Sequence, residues 1–200
     1  MPPTLFIVRH TLVAVGPTMC YGASDVTLAE HWEQDFERVW AKLPHDSLQG
    51  FDLFSSPLKR CATLATYLGE QAPLDAATVH FDDRLKEMNF GDWELTPWAD
   101  ISPSQRAHWM SNIADHAPPG GESFGQVAAR ADDWLAQTQT ALTEHKLPGA
   151  LVVTHGGVIR ALLAKLLGCT IEQGLRLNVD YGGITAVELG KQTRIKYVNR

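Results

Sequence analysis

The chain has 200 residues, 44% of them hydrophobic, which is enough for one substantial core and rather few for two. Its 17 Lys and Arg against 23 Asp and Glu leave a formal charge of −6, and no basic run interrupts the balance, which argues against a general binder of nucleic acid or anionic membrane. No segment reaches membrane-spanning length and the N-terminus carries no basic leader, so a single cytoplasmic domain over residues 1–200 is expected. An anionic substrate would then be held by a few local cations, which favours a small, deeply bound ligand.

Periodicity predicts the first strand over Thr4–Val8, running into Arg9 and His10. Apolar residues at helical spacing predict a helix over Leu28–Leu43, closed by Pro44. A strand at Phe51–Ser55 leads into a helix over Pro57–Leu68, with Pro57 suited to the first turn, and Val79–Phe81 is a further strand. Residues 96–119 pattern weakly and are rich in Pro, Trp, Ser and His, so they are expected as an excursion between core elements, a common place for specificity. A long helix follows over Ser123–Glu144, then a strand at Ala150–Thr154, a helix at Val158–Leu167, and strands at Ile184–Leu189 and Arg194–Val198. This alternation predicts an α/β fold in three layers, a mostly parallel central sheet with helices on both faces. Cys20, Cys61 and Cys169 are odd in number and lack metal-like or redox-like spacing, so three free thiols are expected.

Two strands end in a histidine, and ligands in open α/β sheets collect outside the carboxyl ends of strands, so His10 and His155 are expected to share one pocket. Arg9 beside His10 pairs a fixed cation with an imidazole that attacks well when neutral, a combination suited to a phosphoryl group. Arg60, at the start of a helix whose amino end faces the same rim, offers a fork for two phosphoryl oxygens, whereas Lys59 points about 100° away and is expected at the surface. His155-Gly156-Gly157 at a strand-to-helix junction permits close backbone approach to a ligand. In the stretch from Asp83 to Glu94, the acids Asp83, Glu87, Asp92 and Glu94 stand beside apolar and aromatic residues, as a proton donor at neutral pH requires; spacing does not choose among them. The arginines and helix ends neutralise phosphoryl charge, so neither metal nor other cofactor is expected.

With these residues in hand, nearly the whole chain resembles the histidine phosphatase superfamily, the branch that includes cofactor-dependent phosphoglycerate mutases. The resemblance rests on Arg9-His10, on Ser56 to Arg60, on Glu87 before Gly91 to Glu94, and on His155 to Gly157, in that order. It implies that His10 becomes phosphorylated, that Arg9, Arg60, His155 and Gly156 hold the phosphate, and that Glu87 is the proton donor. Where the family usually has Gly-Glu after Arg-His and then an Asn, this chain has Thr11-Leu12 and later Gly16-Pro17, so Thr11 would supply a hydroxyl or pack. Residues 20–28 are similar to those of α-ribazole phosphatases of cobalamin biosynthesis. The expected activity is therefore metal-independent hydrolysis of a small phosphorylated metabolite, with mutase-type phosphoryl transfer or an inactive phosphate-binding regulator as alternatives. Specificity is expected from Thr11, Tyr21, Gly22 and Glu122, with Trp98, Trp109 and Met110 either touching the leaving group or packing in the core.

Overall fold

A computed structural model describes residues 2–72 and 78–200. Its elements in chain order are β1 (Thr4–Arg9), β2 (Met19–Cys20), α1 (Trp32–Lys42), β3 (Asp52–Ser55), α2 (Lys59–Gln71), β4 (Val79–Phe81), β5 (Thr96–Pro97), α3 (Pro103–Ser111), α4 (Phe124–Glu144), β6 (Gly149–Thr154), α5 (Gly156–Leu167), α6 (Ile171–Gly174), β7 (Ile184–Glu188) and β8 (Arg194–Tyr197). Six strands form one sheet in the order β4-β3-β6-β1-β7-β8. Its first four strands run parallel, and β7 and β8 add antiparallel pairings at the other side.

Alternation along the central strands divides the apolar residues between two cores. Leu5, Ile7 and Val152 face α4 and α5, where Trp134, Leu135, Ile159 and Leu162 are buried. Phe6, Val8, Leu151 and Val153 face α1 and α2, against Phe36, Val39, Leu64 and Leu68. Each layer thus removes apolar surface from water on one side of a sheet covered on both faces, the driving force for this architecture. The parallel registers matter most for function. Arg9 pairs with Thr154 and Ser55 with Val153, so the carboxyl ends of β1, β3 and β6 lie side by side.

Three helix starts differ from the pattern-based expectation by two residues or more: α5 opens earlier, at Gly156 instead of Val158, and α1 and α2 open later because the residues before them are held outside the helix. Leu28 is held in a bridge to Val13, and the Ala29 amide donates to the Leu12 carbonyl, so α1 begins only at Trp32, after His31 in a left-handed conformation. Pro57 precedes α2 instead of opening it. The Lys59 amide, one of the unpaired donors of the helix start, is satisfied at 2.7 Å by Asp25 from a distant loop. The excursion is more ordered than its weak patterning suggested: β5 pairs with β2, and α3 starts at Pro103. The short α6, opened by a reciprocal Thr170–Gln173 cap, also lay below the reach of periodicity.

Candidate active site

The strand ends bring His10 and His155 together with ring centroids 5.1 Å apart. His10 is 2% exposed, and its backbone amide donates to the Thr154 carbonyl, which ties the end of β1 to the end of β6. Its Nδ1 lies 2.7 Å from the Thr11 carbonyl. A carbonyl only accepts, so Nδ1 carries the hydrogen and Nε2 keeps a free lone pair. Burial, reinforced by the charges of Arg60 and Arg9, holds the His10 pKa well below the usual histidine value, and the ring stays neutral at neutral pH.

Arg60 is fully buried on the first turn of α2. Its Nη1 donates to the Ser24 carbonyl at 2.8 Å, its Nη2 to that of Gly22, and its Nε to His155 Nδ1 at 3.3 Å. Each terminal nitrogen carries a second hydrogen, so the fork retains donors for an incoming oxyanion. The loop beneath it is itself anchored. Glu94 accepts from the amides of Gly22, Ala23, Ser24 and Phe90 at 2.9–3.2 Å. Burial works against its ionisation, but these hydrogen bonds outweigh burial and lower its pKa. Gly22 is required by close approach: a Cβ there would lie 1.8 Å from the Met88 carbonyl oxygen.

Arg9 donates from Nη1 to the Val179 carbonyl at 2.6 Å and stacks 3.8 Å from the Tyr181 ring, while its Nε is buried without a partner. Tyr181 in turn shares a 2.7 Å hydrogen bond with Tyr21. Glu87 accepts at 3.0 Å from the amide of Gly157, on the first turn of α5, and from that of Met88. The side chains of Arg9, His10, Arg60, Glu87 and Tyr21 line a common cavity of about 400 Å³. Its remaining walls are largely apolar and come from the excursion and the segments beside it, among them Phe90, Trp98, Trp109, Ile113 and Phe124.

Several expected positions fall differently. His155 is fully buried behind this lining: Nδ1 accepts from Arg60, so Nε2 donates to Ser56 Oγ at 2.8 Å. Burial, followed by the charges of Arg60 and its neighbours, keeps its pKa well below the ordinary value. Gly156 serves as a gap, since a Cβ there would lie 3.0 Å from Arg160 Nη1 and 3.3 Å from the Arg9 guanidinium. Thr11 contributes its backbone carbonyl to His10, while its hydroxyl is buried without a partner outside the cavity lining. Glu122 also lies outside the lining, held by Arg130 at 2.9 and 3.0 Å. Of the other acids considered, Asp83 is exposed and paired with Lys86, Asp92 is exposed, and Glu94 is committed to the loop. Lys59 is exposed as expected, and so is Met110.

Arg160 and Tyr181 line the cavity but escaped the sequence reading. Arg160 stands four residues after Gly156, one helical turn along the same face, and that spacing is a signal that could have found it. Its Nε donates to the Leu177 carbonyl at 2.9 Å. Burial, then the nearby Arg9 charge, lowers its pKa. No comparable pattern marks Tyr181, which reaches the site through a loop.

The three-layer fold gathers two arginines and two histidines at the carboxyl ends of its strands, and relatives of this chain are named phosphatases, consistent with a phosphoric monoester hydrolase. Residues 5–199 match the family model of the histidine phosphatase superfamily (branch 1), and the chain belongs to that superfamily. It is similar to a mycobacterial glucosyl-3-phosphoglycerate phosphatase solved with VO3, at 28% identity and a TM-score of 0.83, covering 98% of each chain. It is 30% identical over 112 residues to the adenosylcobalamin/alpha-ribazole phosphatase of Escherichia coli, covering 54% of this chain and 53% of that protein. It is also 28% identical over 190 residues to the 2,3-bisphosphoglycerate-dependent phosphoglycerate mutase of Brucella anthropi, covering 91% and 90%. The alignments with several curated phosphatases span about half to seven tenths of those proteins' lengths. Among the described residues, no helix is long and apolar enough to cross a membrane.

Proposed function

We propose that this chain hydrolyses a small phosphate monoester through a phosphohistidine on His10. The observation that carries this reading is the fixed tautomer of His10: Nδ1–H is bound to the Thr11 carbonyl, and Nε2 is left with its lone pair in a cavity shared with Arg9 and Arg60. In the first step Nε2 attacks phosphorus, the ester P–O bond breaks, and the leaving oxygen takes a proton from Glu87 acting as general acid. In the second, water attacks phosphorus while the Glu87 carboxylate takes its proton, and the P–N bond breaks to return the electron pair to Nε2. Arg9 and Arg60 meet the phosphoryl oxygens in both steps. His155 acts as a positioning residue, because it accepts from Arg60 and packs against the His10 ring.

Relatives named as phosphatases for glucosyl-3-phosphoglycerate and α-ribazole support hydrolysis of a small phosphorylated metabolite, with α-ribazole 5′-phosphate as a specific candidate. A mutase reading is favoured only by the broad likeness to the Brucella anthropi protein. Rapid acid quench during turnover of labelled ester tests the mechanism. An acid-labile, base-stable label is expected on the enzyme and lost in His10→Ala, and full labelling of that variant would overturn it. The same incubations with 3-phosphoglycerate separate the activities: orthophosphate release is expected, and isomerisation without release would establish the mutase.

A further inference from the structure

The cavity is lined by two chemically different sets of side chains. The sheet edge supplies the cations and His10, whereas the excursion supplies a wall that a phosphoryl group does not use. A cavity of about 400 Å³ is in the range that encloses a whole small organic ligand, so room remains beyond the phosphate. The wall is built around three rings: Trp98 and Trp109 stack with centroids 6.2 Å apart, and Phe90 stands edge-on to both, at 5.6 and 5.9 Å. Trp98 and Trp109 are neither fully buried nor fully exposed, and both contribute to the lining. Ile113 adds an aliphatic side chain.

The wall is also fixed in place. The β2–β5 pairing joins Met19 to Pro97, and the Trp98 amide donates to the Thr18 carbonyl at 2.8 Å. A rigid apolar surface beside a reacting centre lowers the ordering cost of seating a flat ligand. The same cavity is lined by the cations of the phosphate site and by Arg160, whose side-chain hydrogen bond goes to a backbone carbonyl. Such a cation can lie on the π-face of a bound ring as well as beside an anion.

We infer that the leaving group is an alcohol that carries a flat aromatic ring seated against Trp98 and Trp109. This rests on the monoesterase reading and narrows it to one substrate class. The test uses esters with aliphatic leaving oxygens, so that differences in leaving-group acidity do not enter. For 2-(1-naphthyl)ethyl phosphate, kcat/KM should exceed that of ethyl phosphate on the order of 30-fold, the factor conferred by burying one aromatic ring. Calorimetric binding of the two corresponding phosphonates, which cannot turn over, should show the same ratio in Kd. Trp98→Ala should reduce that ratio about tenfold, and Ile113→Gln should also reduce it if loss of Trp98 impairs folding.

Equal binding of the two phosphonates would overturn the inference. So would a preference for 3-phosphoglycerate that disappears in Arg160→Met, since the second subsite would then be anionic. A retained phosphonate ratio without hydrolysis of any ester would uphold the aromatic subsite and reject the hydrolase reading on which its name as a leaving-group site depends.

Discussion

The proton donation proposed for Glu87 depends on where its carboxyl group is held, and one constraint is the absence of a side chain at Gly157. A methyl group there would lie 2.3 Å from Glu87 Oε1, so Gly157→Ala should displace the acid while leaving His10 and both arginines in place. Slow turnover of an alkyl phosphate, by about 100-fold, is expected beside a far smaller loss on an activated aryl phosphate whose phenolate departs without a proton. Glu87→Gln should show the same asymmetry. Rates of phosphoenzyme formation check this, and equal losses on both esters would remove Glu87 as donor. Arg60→Ala should reduce turnover by about 100-fold or more, with the far-ultraviolet circular dichroism preserved. At residue scale Arg9, His10, Arg60 and His155 were legible because each stands at or just after a strand end, where chain direction fixes its position, whereas Glu87 was singled out from its neighbouring acids only by the family resemblance. The neutral state of His155 and its role behind Arg60 were not legible, because both depend on partners at Ser56 and Arg60 that no local pattern reveals.

The elements around the site act through hydrogen bonds between loops. Glu94 gathers four amides from residues 22–24 and 90, and the carbonyls of Gly22 and Ser24 then hold Arg60. Glu94→Gln keeps one amide oxygen and loses the charge, so stability should fall by about 2 kcal/mol and inorganic phosphate should bind more weakly, as read by thermal unfolding and calorimetry. Because the Glu94 pKa is lower in the folded chain, its contribution is present above about pH 4.3 and is lost as pH falls through the folded value. The central strands and the long α4 were readable from hydrophobic period, since packing on one or both faces enforces it. The start of α1 was not, because a bridge to Val13 competes with helix for Leu28. The excursion hid α3 for a related reason. Its residues are not buried, so no apolar stripe was required.

For the whole molecule, two neutral histidines in the interior tie folding to pH. Below about pH 6.5 the unfolded chain binds protons that folded His10 and His155 refuse, so stability should fall on acidification by about 1.4 kcal/mol per pH unit for each, until the folded pKa is reached. Urea denaturation at pH 7 and 5.5 measures this, and His155→Asn should reduce the drop; an unchanged drop would mean that His155 carries a proton in the folded state. The strand order has another consequence, one of timing. β1 lies between β6 and β7, which leave the ribosome about 140 and about 175 residues after it. Contacts that distant in sequence form slowly. The strand carrying His10 therefore waits, with both edges unpaired, until β6 has emerged. A nascent chain can have α2 and its arginine, but the proposed nucleophile gains its place only when β6 and β7 arrive, so any catalytic competence must follow the pairing of those two strands.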